Sequence, residues 1–238
     1  MVCIAMDLSS IIIILLTGLG LGLAHSIDPD HIVAVSTLLC NNKSLRKSIA
    51  SATVWGVGHS AVLFIIGLLI LTLSVVIPEA VVHLFDASAG VLLIILGAYV
   101  LRPLIAQRIR PNHNIHVHTH THPHTHPHSH THEHDNEDHN GHTHLHKSAL
   151  TGALQGLGGS AALMLVTLST VNSVEIGAVF IFLFGVGVIL GMVGISCVVG
   201  SVMAYTASNL EKVNKIIKAL TGSASIVIGV VIIVTALT

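Results

Sequence analysis

The chain has 238 residues, of which 52% are apolar and only 9% are charged. A soluble domain carries about 25% charged residues, so this composition excludes an ordinary water-soluble globule. The net charge of −1 predicts no nucleic-acid partner, and three scattered cysteines (Cys3, Cys40, Cys197) form no CxxC pair for a disulfide framework or a thiolate metal site.

The first apolar run, Leu8 to Leu23, follows Asp7 rather than a basic segment, so it reads as a retained helix and not a cleaved signal. After the interruption Asp28-Pro29-Asp30, apolar sequence resumes from Ile32 to Cys40. The runs Ser48 to Ile77 and Val81 to Leu101 follow, each long enough to cross a bilayer at about 1.5 Å per residue. Residues 102–147 are polar, and three more apolar runs complete the chain: Ala149 to Val171, Ile176 to Tyr205 and Ile216 to Leu237. These runs predict an all-α polytopic membrane protein with about six transmembrane helices, a lipid bilayer as its surroundings, and a first helix broken at Asp28-Pro29-Asp30.

Charge placement agrees with that count. Lys43, Arg46 and Lys47 fall between spans one and two, Arg102, Arg108, Arg110 and Lys147 between three and four, and Lys212, Lys215 and Lys218 between five and six. All ten basic residues therefore share one side, whereas Glu79, Asp86 and Glu175 fall on the other. The positive-inside rule makes the basic side cytoplasmic and puts both termini outside.

The halves echo each other in order. Thr17-Gly18 followed by Gly22-Leu23-Ala24-His25-Ser26 resembles Thr151-Gly152 followed by Gly156-Leu157-Gly158-Gly159-Ser160, and Trp55-Gly56-Val57-Gly58 resembles Phe184-Gly185-Val186-Gly187. A three-span unit repeated in one chain enters the membrane in opposite senses, so the expected plan is an inverted 3+3 repeat: residues 1–110, a loop over 111–147, and residues 148–238.

The interruption carries the strongest chemistry. In His25-Ser26-Ile27-Asp28-Pro29-Asp30-His31, two imidazoles and two carboxylates stand between apolar runs, where each ionisable group is costly unless paired or bound. On an unbroken helix His25 and His31 would point about 240° apart. Pro29 lacks a backbone donor and disfavours helix at Asp28, so a break is expected that lets these groups converge. In the next span, Gly56-Val57-Gly58-His59-Ser60 sets His59 inside an apolar run, with small glycines that allow close helix approach. The candidate metal ligands are therefore His25, Asp28, Asp30, His31 and His59, with Ser26 and Ser60 in support. Neutral imidazoles with carboxylates suit Ni²⁺, Co²⁺ or Zn²⁺ better than Mg²⁺ or Ca²⁺. The competing reading satisfies the histidines with serine hydroxyls or backbone carbonyls inside a bundle.

Fifteen histidines lie between His113 and His146, ten of them at alternate positions: His116, His118, His120, His122, His124, His126, His128, His130, His132 and His134. Glu133, Asp135, Glu137 and Asp138 are interspersed, and Pro123 and Pro127 oppose helix. With no apolar anchor the loop is expected to be disordered without a ligand, and to offer many weak, interchangeable chelation sites on the cytoplasmic side.

His25-x4-Asp30-His31 resembles the His-x4-Asp-His signature of the nickel/cobalt transporter family, and Gly58-His59-Ser60 is similar to that family's second motif. The resemblance runs over six spans and is nearest to the branch with urease accessory membrane proteins and nickel/cobalt efflux proteins. It implies His25, Asp30, His31 and His59 as ligands; Asp28 comes from its place at the break. The chain departs from the permeases where their C-terminal halves carry acidic motifs: Gly158-Gly159-Ser160-Ala161 and Gly191-Met192-Val193-Gly194 hold no carboxylate.

The resulting expectation is a non-enzymatic carrier without a prosthetic group, moving Ni²⁺ or Co²⁺ across the cytoplasmic membrane of a prokaryote by alternating access, one three-helix unit rocking against the other. A second expectation is a non-transporting membrane accessory protein that passes nickel to urease or hydrogenase maturation proteins. A third is an intramembrane hydrolase with Ser160 as nucleophile and His59 as base.

Overall fold

A computed structural model describes residues 8–40, 44–73, 78–109, 117–120, 128–131, 141–158 and 173–238. Among them are seven helices: α1 (Leu8–His25), α2 (Pro29–Leu39), α3 (Leu45–Leu73), α4 (Glu79–Ile109), α5 (Gly141–Leu157), α6 (Val174–Asn209) and α7 (Glu211–Leu237). Two four-residue strands, β1 (Val117–His120) and β2 (His128–Thr131), pair antiparallel with Val117 opposite Thr131. This ladder departs from a loop without regular structure. Alternating Thr and His have the period of a strand, although a lone hairpin is marginally stable in water.

Helices α3, α4, α6 and α7 are each long and apolar enough to cross a membrane, and α1 with α2 forms a fifth candidate, bent by 58° at the break. The expected span Ala149 to Val171 is seen as helix through Leu157; residues 159–172, Ser160 among them, lie outside the described residues. That helix starts at Gly141, within the stretch read as loop, and α6 and α7 are separated by Leu210 alone.

The break follows from local chemistry. Pro29 occupies the first helical position of α2, where its missing N–H would have had no partner, and Asp28 before it is extended (φ −58°, ψ 140°). The backbone is nearly fully used: Ser26 N donates to Gly22 O, Ile27 N to Ala24 O, Asp28 N to His25 O, and both His31 N and Ile32 N to Asp28 O. His25 therefore closes one helix while Asp30 and His31 open the next, placing a cation-binding group at a C-terminus and a carboxylate at an N-terminus, as the helix dipoles favour.

Glycines set how the helices pair. A Cβ on Gly18 or Gly22 would strike Phe180 or Phe184, so α1 runs beside α6 in the same direction. A Cβ on Gly152 or Gly156 would strike the backbone of Trp55 or His59, so α5 runs beside α3 in the same direction. Gly90 lies against Gly229 and Gly97 against Gly222, making α4 and α7 antiparallel; between them the Ser225 hydroxyl donates to Leu93 O at 2.7 Å. The principal core, which includes Val35, Trp55, Leu63, Phe180, Phe184, Val188 and Met192, fills the space among α2, α3 and α6.

Candidate metal centre

The helix break and α3 bring three imidazoles together. The ring centroids of His25 and His31 are 4.4 Å apart, those of His31 and His59 4.9 Å, and those of His25 and His59 5.6 Å. One ring nitrogen from each lies within 4.8 Å of the other two. All three side chains are buried: His25 at 4%, His31 at 1% and His59 at 0% exposure. Among the described residues, His31 Nε2 has no hydrogen-bond partner, whereas the His59 ring meets the backbone of Gly152. Such burial is costly for a donor or acceptor left alone, which suits a set of ligands better than a set of packing residues.

Carboxylates orient two of the rings. Asp28 Oδ2 is 2.7 Å from His25 Nδ1, and Asp30 Oδ1 is 2.9 Å from His31 Nδ1. A carboxylate on one ring nitrogen leaves the other as the donor for a metal ion. Asp28, Asp30 and His31 form a second candidate group, again with donor atoms within 4.8 Å, and it is less buried than the imidazole trio. The five residues expected to make one site are therefore two overlapping sets joined at His31.

The supporting serines are placed differently. Ser26 Oγ donates to Leu23 O at 2.7 Å, and Ser60 Oγ donates to Gly185 O at 3.1 Å. Both hydroxyls serve helix termination or packing, and neither donates to an imidazole. Of the loop histidines, His118, His120, His128 and His130 lie on the two strands, while His116, His122, His124, His126, His132 and His134 lie outside the described residues.

Three residues complete the surroundings, of which Gln155 and Asp86 lie outside the motifs. Gln155 of α5 is 1% exposed, and its Nε2 donates to Asp30 Oδ2 at 3.0 Å, so the second half of the chain reaches the break. Trp55 stacks on His59 at 5.1 Å with a 16° interplanar angle and meets His31 edge-on at 5.4 Å. Asp86 of α4 lines a cavity of ≈ 360 Å³ together with His25, Asp28, Asp30 and His31. Each had a signal in the sequence: an amide just before Gly156, the single Trp one turn before His59, and a carboxylate inside the run Val81 to Leu101.

The cavity is closed further by Ala89 of α4, Gly158, and Ile228, Ile232 and Thr235 of α7. It lies toward the start of α4 and the end of α7, away from Arg102, Lys212, Lys215 and Lys218. His59 is not among its walls, so the imidazole trio extends behind it.

Comparison with known proteins agrees with this chemistry. A family model described as high-affinity nickel-transport protein matches residues 11–238. A protein named urease accessory protein UreH, from Bacillus sp. (strain TB-90), is 32% identical over 225 residues, covering 94% of this chain and 92% of its own length. No solved structure matches. With its apolar helices, its His-x4-Asp-His break and a match that runs from the first helix to the last residue, the chain is a multi-pass membrane protein belonging to the NicO family of high-affinity nickel-transport proteins.

Proposed function

We propose that the protein carries a divalent transition-metal ion, Ni²⁺ first and Co²⁺ second, across the cytoplasmic membrane of a prokaryote by alternating access. The observation that carries this reading is the convergence of His25, His31 and His59 at a helix break, all three buried, with Nε2 of His31 free of a hydrogen bond among the described residues. Imidazole favours late first-row divalent ions over Mg²⁺ and Ca²⁺, and the break sets the ligands inside the apolar layer, where a carrier must strip water from its cargo. The protein acts on no covalent bond in this reading and holds the ion as cargo.

The orientation follows from the basic residues: both termini outside and the His-rich loop cytoplasmic. The cavity would then face outward. The pairing of α1 with α6 and of α3 with α5, each in parallel, and of α4 with α7 antiparallel, is what an exchange of two inverted halves produces, and it supports the inverted repeat.

The relative named urease accessory protein favours a second reading, in which the protein does not conduct but hands nickel to enzyme maturation proteins. Radiolabelled nickel flux into proteoliposomes separates the two. The transport reading expects flux in the wild type, loss of it in His31→Ala, and retention when residues 113–146 are deleted. Absence of flux in the wild type under an imposed proton gradient, with loss of cellular function on deleting the loop, would establish the accessory role instead.

A further inference from the structure

The two donor sets that share His31 differ in depth and in hardness. The inner set is all imidazole and buried, while Asp28, with 45% of its side chain exposed, and Asp30, with 24%, border the cavity. The same cavity has a carboxylate that neither motif contains, Asp86, contributed by α4 rather than by the helix break. Asp86 follows the first residue of α4 by seven positions, and the exposed Glu79 and His83 precede it by seven and three, on the same helix face at about 100° per residue. Glu79, His83 and Asp86 thus follow one face of the first turns of α4, and of the three Asp86 lines the cavity. The cavity is bordered by His31, which is 1% exposed and has an Nε2 without a hydrogen-bond partner among the described residues.

A hydrated divalent ion exchanges water most readily for other hard oxygens, and imidazole then discriminates among the ions that arrive. Resting on the transport reading, we propose that Asp86 and Asp28, on walls formed by different helices, hold the hydrated cation at an outer position in this cavity. The ion then passes to the buried imidazoles through His31. His31 suits the transfer because it belongs to both sets, with Nδ1 beside Asp30 and Nε2 buried. Asp86 is then a capture residue of the path: it collects divalent cations, and the trio behind it selects among them.

The test is the concentration dependence of nickel flux into proteoliposomes for the wild type, Asp86→Asn and Asp86→Glu, at matched amounts of inserted protein. Loss of the carboxylate should raise the half-saturating nickel concentration on the order of tenfold, the scale on which groups around a metal ion alter its affinity, while the maximal rate is kept. Asp86→Glu should restore it. If the amide variant does not insert, Asp86→Ser carries the same comparison. An unchanged half-saturating concentration, or a reduced maximal rate at unchanged half-saturation, would assign Asp86 to packing and overturn the proposal. A wild type that carries no nickel would overturn the transport reading and this inference with it, whereas wild-type flux beside an unaffected Asp86→Asn overturns this inference alone.

Discussion

Alanine at Gly156 tests whether the close approach of α5 to α3 sets the candidate metal centre. A Cβ there would stand 2.7 Å from His59 O, 3.2 Å from His59 Cα and 3.3 Å from His59 C. Close carbon–oxygen contacts lie near 3.3 Å, so the backbone carrying His59 must retreat by about 0.6 Å. The obstructing atoms are main chain and cannot rotate away. Overpacking of this kind costs about 1–3 kcal/mol, and a chain of this size loses about 2–4 °C of Tm per kcal/mol. Metal–ligand distances tolerate about 0.2 Å, so the shift also misplaces an imidazole, and nickel flux at subsaturating concentration should fall by about 10- to 100-fold. Gly20 is the control: a Cβ there meets nothing within 4 Å, and alanine gains helix propensity of about 1 kcal/mol. Thermal melting in detergent and flux in proteoliposomes read both effects. If Gly156→Ala melts and transports like Gly20→Ala, glycine at this crossing does not position His59, and the reasoning is refuted.

Gln155→Leu keeps most of the volume but removes the donor to Asp30 Oδ2. A hydrogen bond to a charged group contributes about 1.5–3 kcal/mol, so half-saturation for nickel should rise by about 10- to 100-fold, and an unmoved value would show that Gln155 only packs. Ser225→Ala removes the bond to Leu93 O between α4 and α7, which should cost about 0.6 kcal/mol in a membrane protein and leave half-saturation untouched. A loss above about 1.7 kcal/mol in melting would mean that this bond does more than join two helices.

The helix break was legible because its cause is local: Pro29 and the residue before it dictate backbone geometry wherever they stand. The imidazoles and carboxylates were legible for a related reason, since ionisable groups between apolar runs have few structural uses. Pairing of helices was not. Residues facing lipid and residues facing the core are both apolar here, so periodicity does not mark the buried face. Only the glycines carry that information, and a glycine says that something approaches without saying what: Gly22 meets Phe184, Gly156 meets His59. Gln155 and Asp86 were hidden for the same reason, because their contributions depend on which helices the crossings bring beside the break. The split of five candidate ligands into two sets is likewise invisible in spacing, since it arises from the different depths of His59 and Asp28.

The pairing also bears on which bodies move. A symmetric carrier suggests one half rocking against the other, yet the closest helix pairs all join the halves: α4 with α7, α3 with α6 and α5, and α1 with α6. Separating residues 1–110 from 148–238 as rigid units would pull Gly22 from Phe184, Gly156 from His59, and Gly90 from Gly229 together, undoing the close approaches at these glycines. The weak boundaries run elsewhere. Helices α1, α3, α5 and α6 interlock through glycines and α4 and α7 form their own antiparallel pair; α4 meets α5 and α7 meets α6 far less extensively, and α2, which carries Asp30 and His31, packs against α7 and α4 as well as α6. The cavity lies along that seam, with Asp86, Ala89, Ile228, Ile232 and Thr235 on the side of the pair and His25, Asp28, Asp30 and His31 on the other. A shift of the α4–α7 pair would open or close this cavity while leaving Gly156 against His59, and the contacts of α2 with both α7 and α4 would couple that shift to the helix that carries Asp30 and His31. In the proposed transport by alternating access, this seam is the boundary along which the outer cavity would open and close.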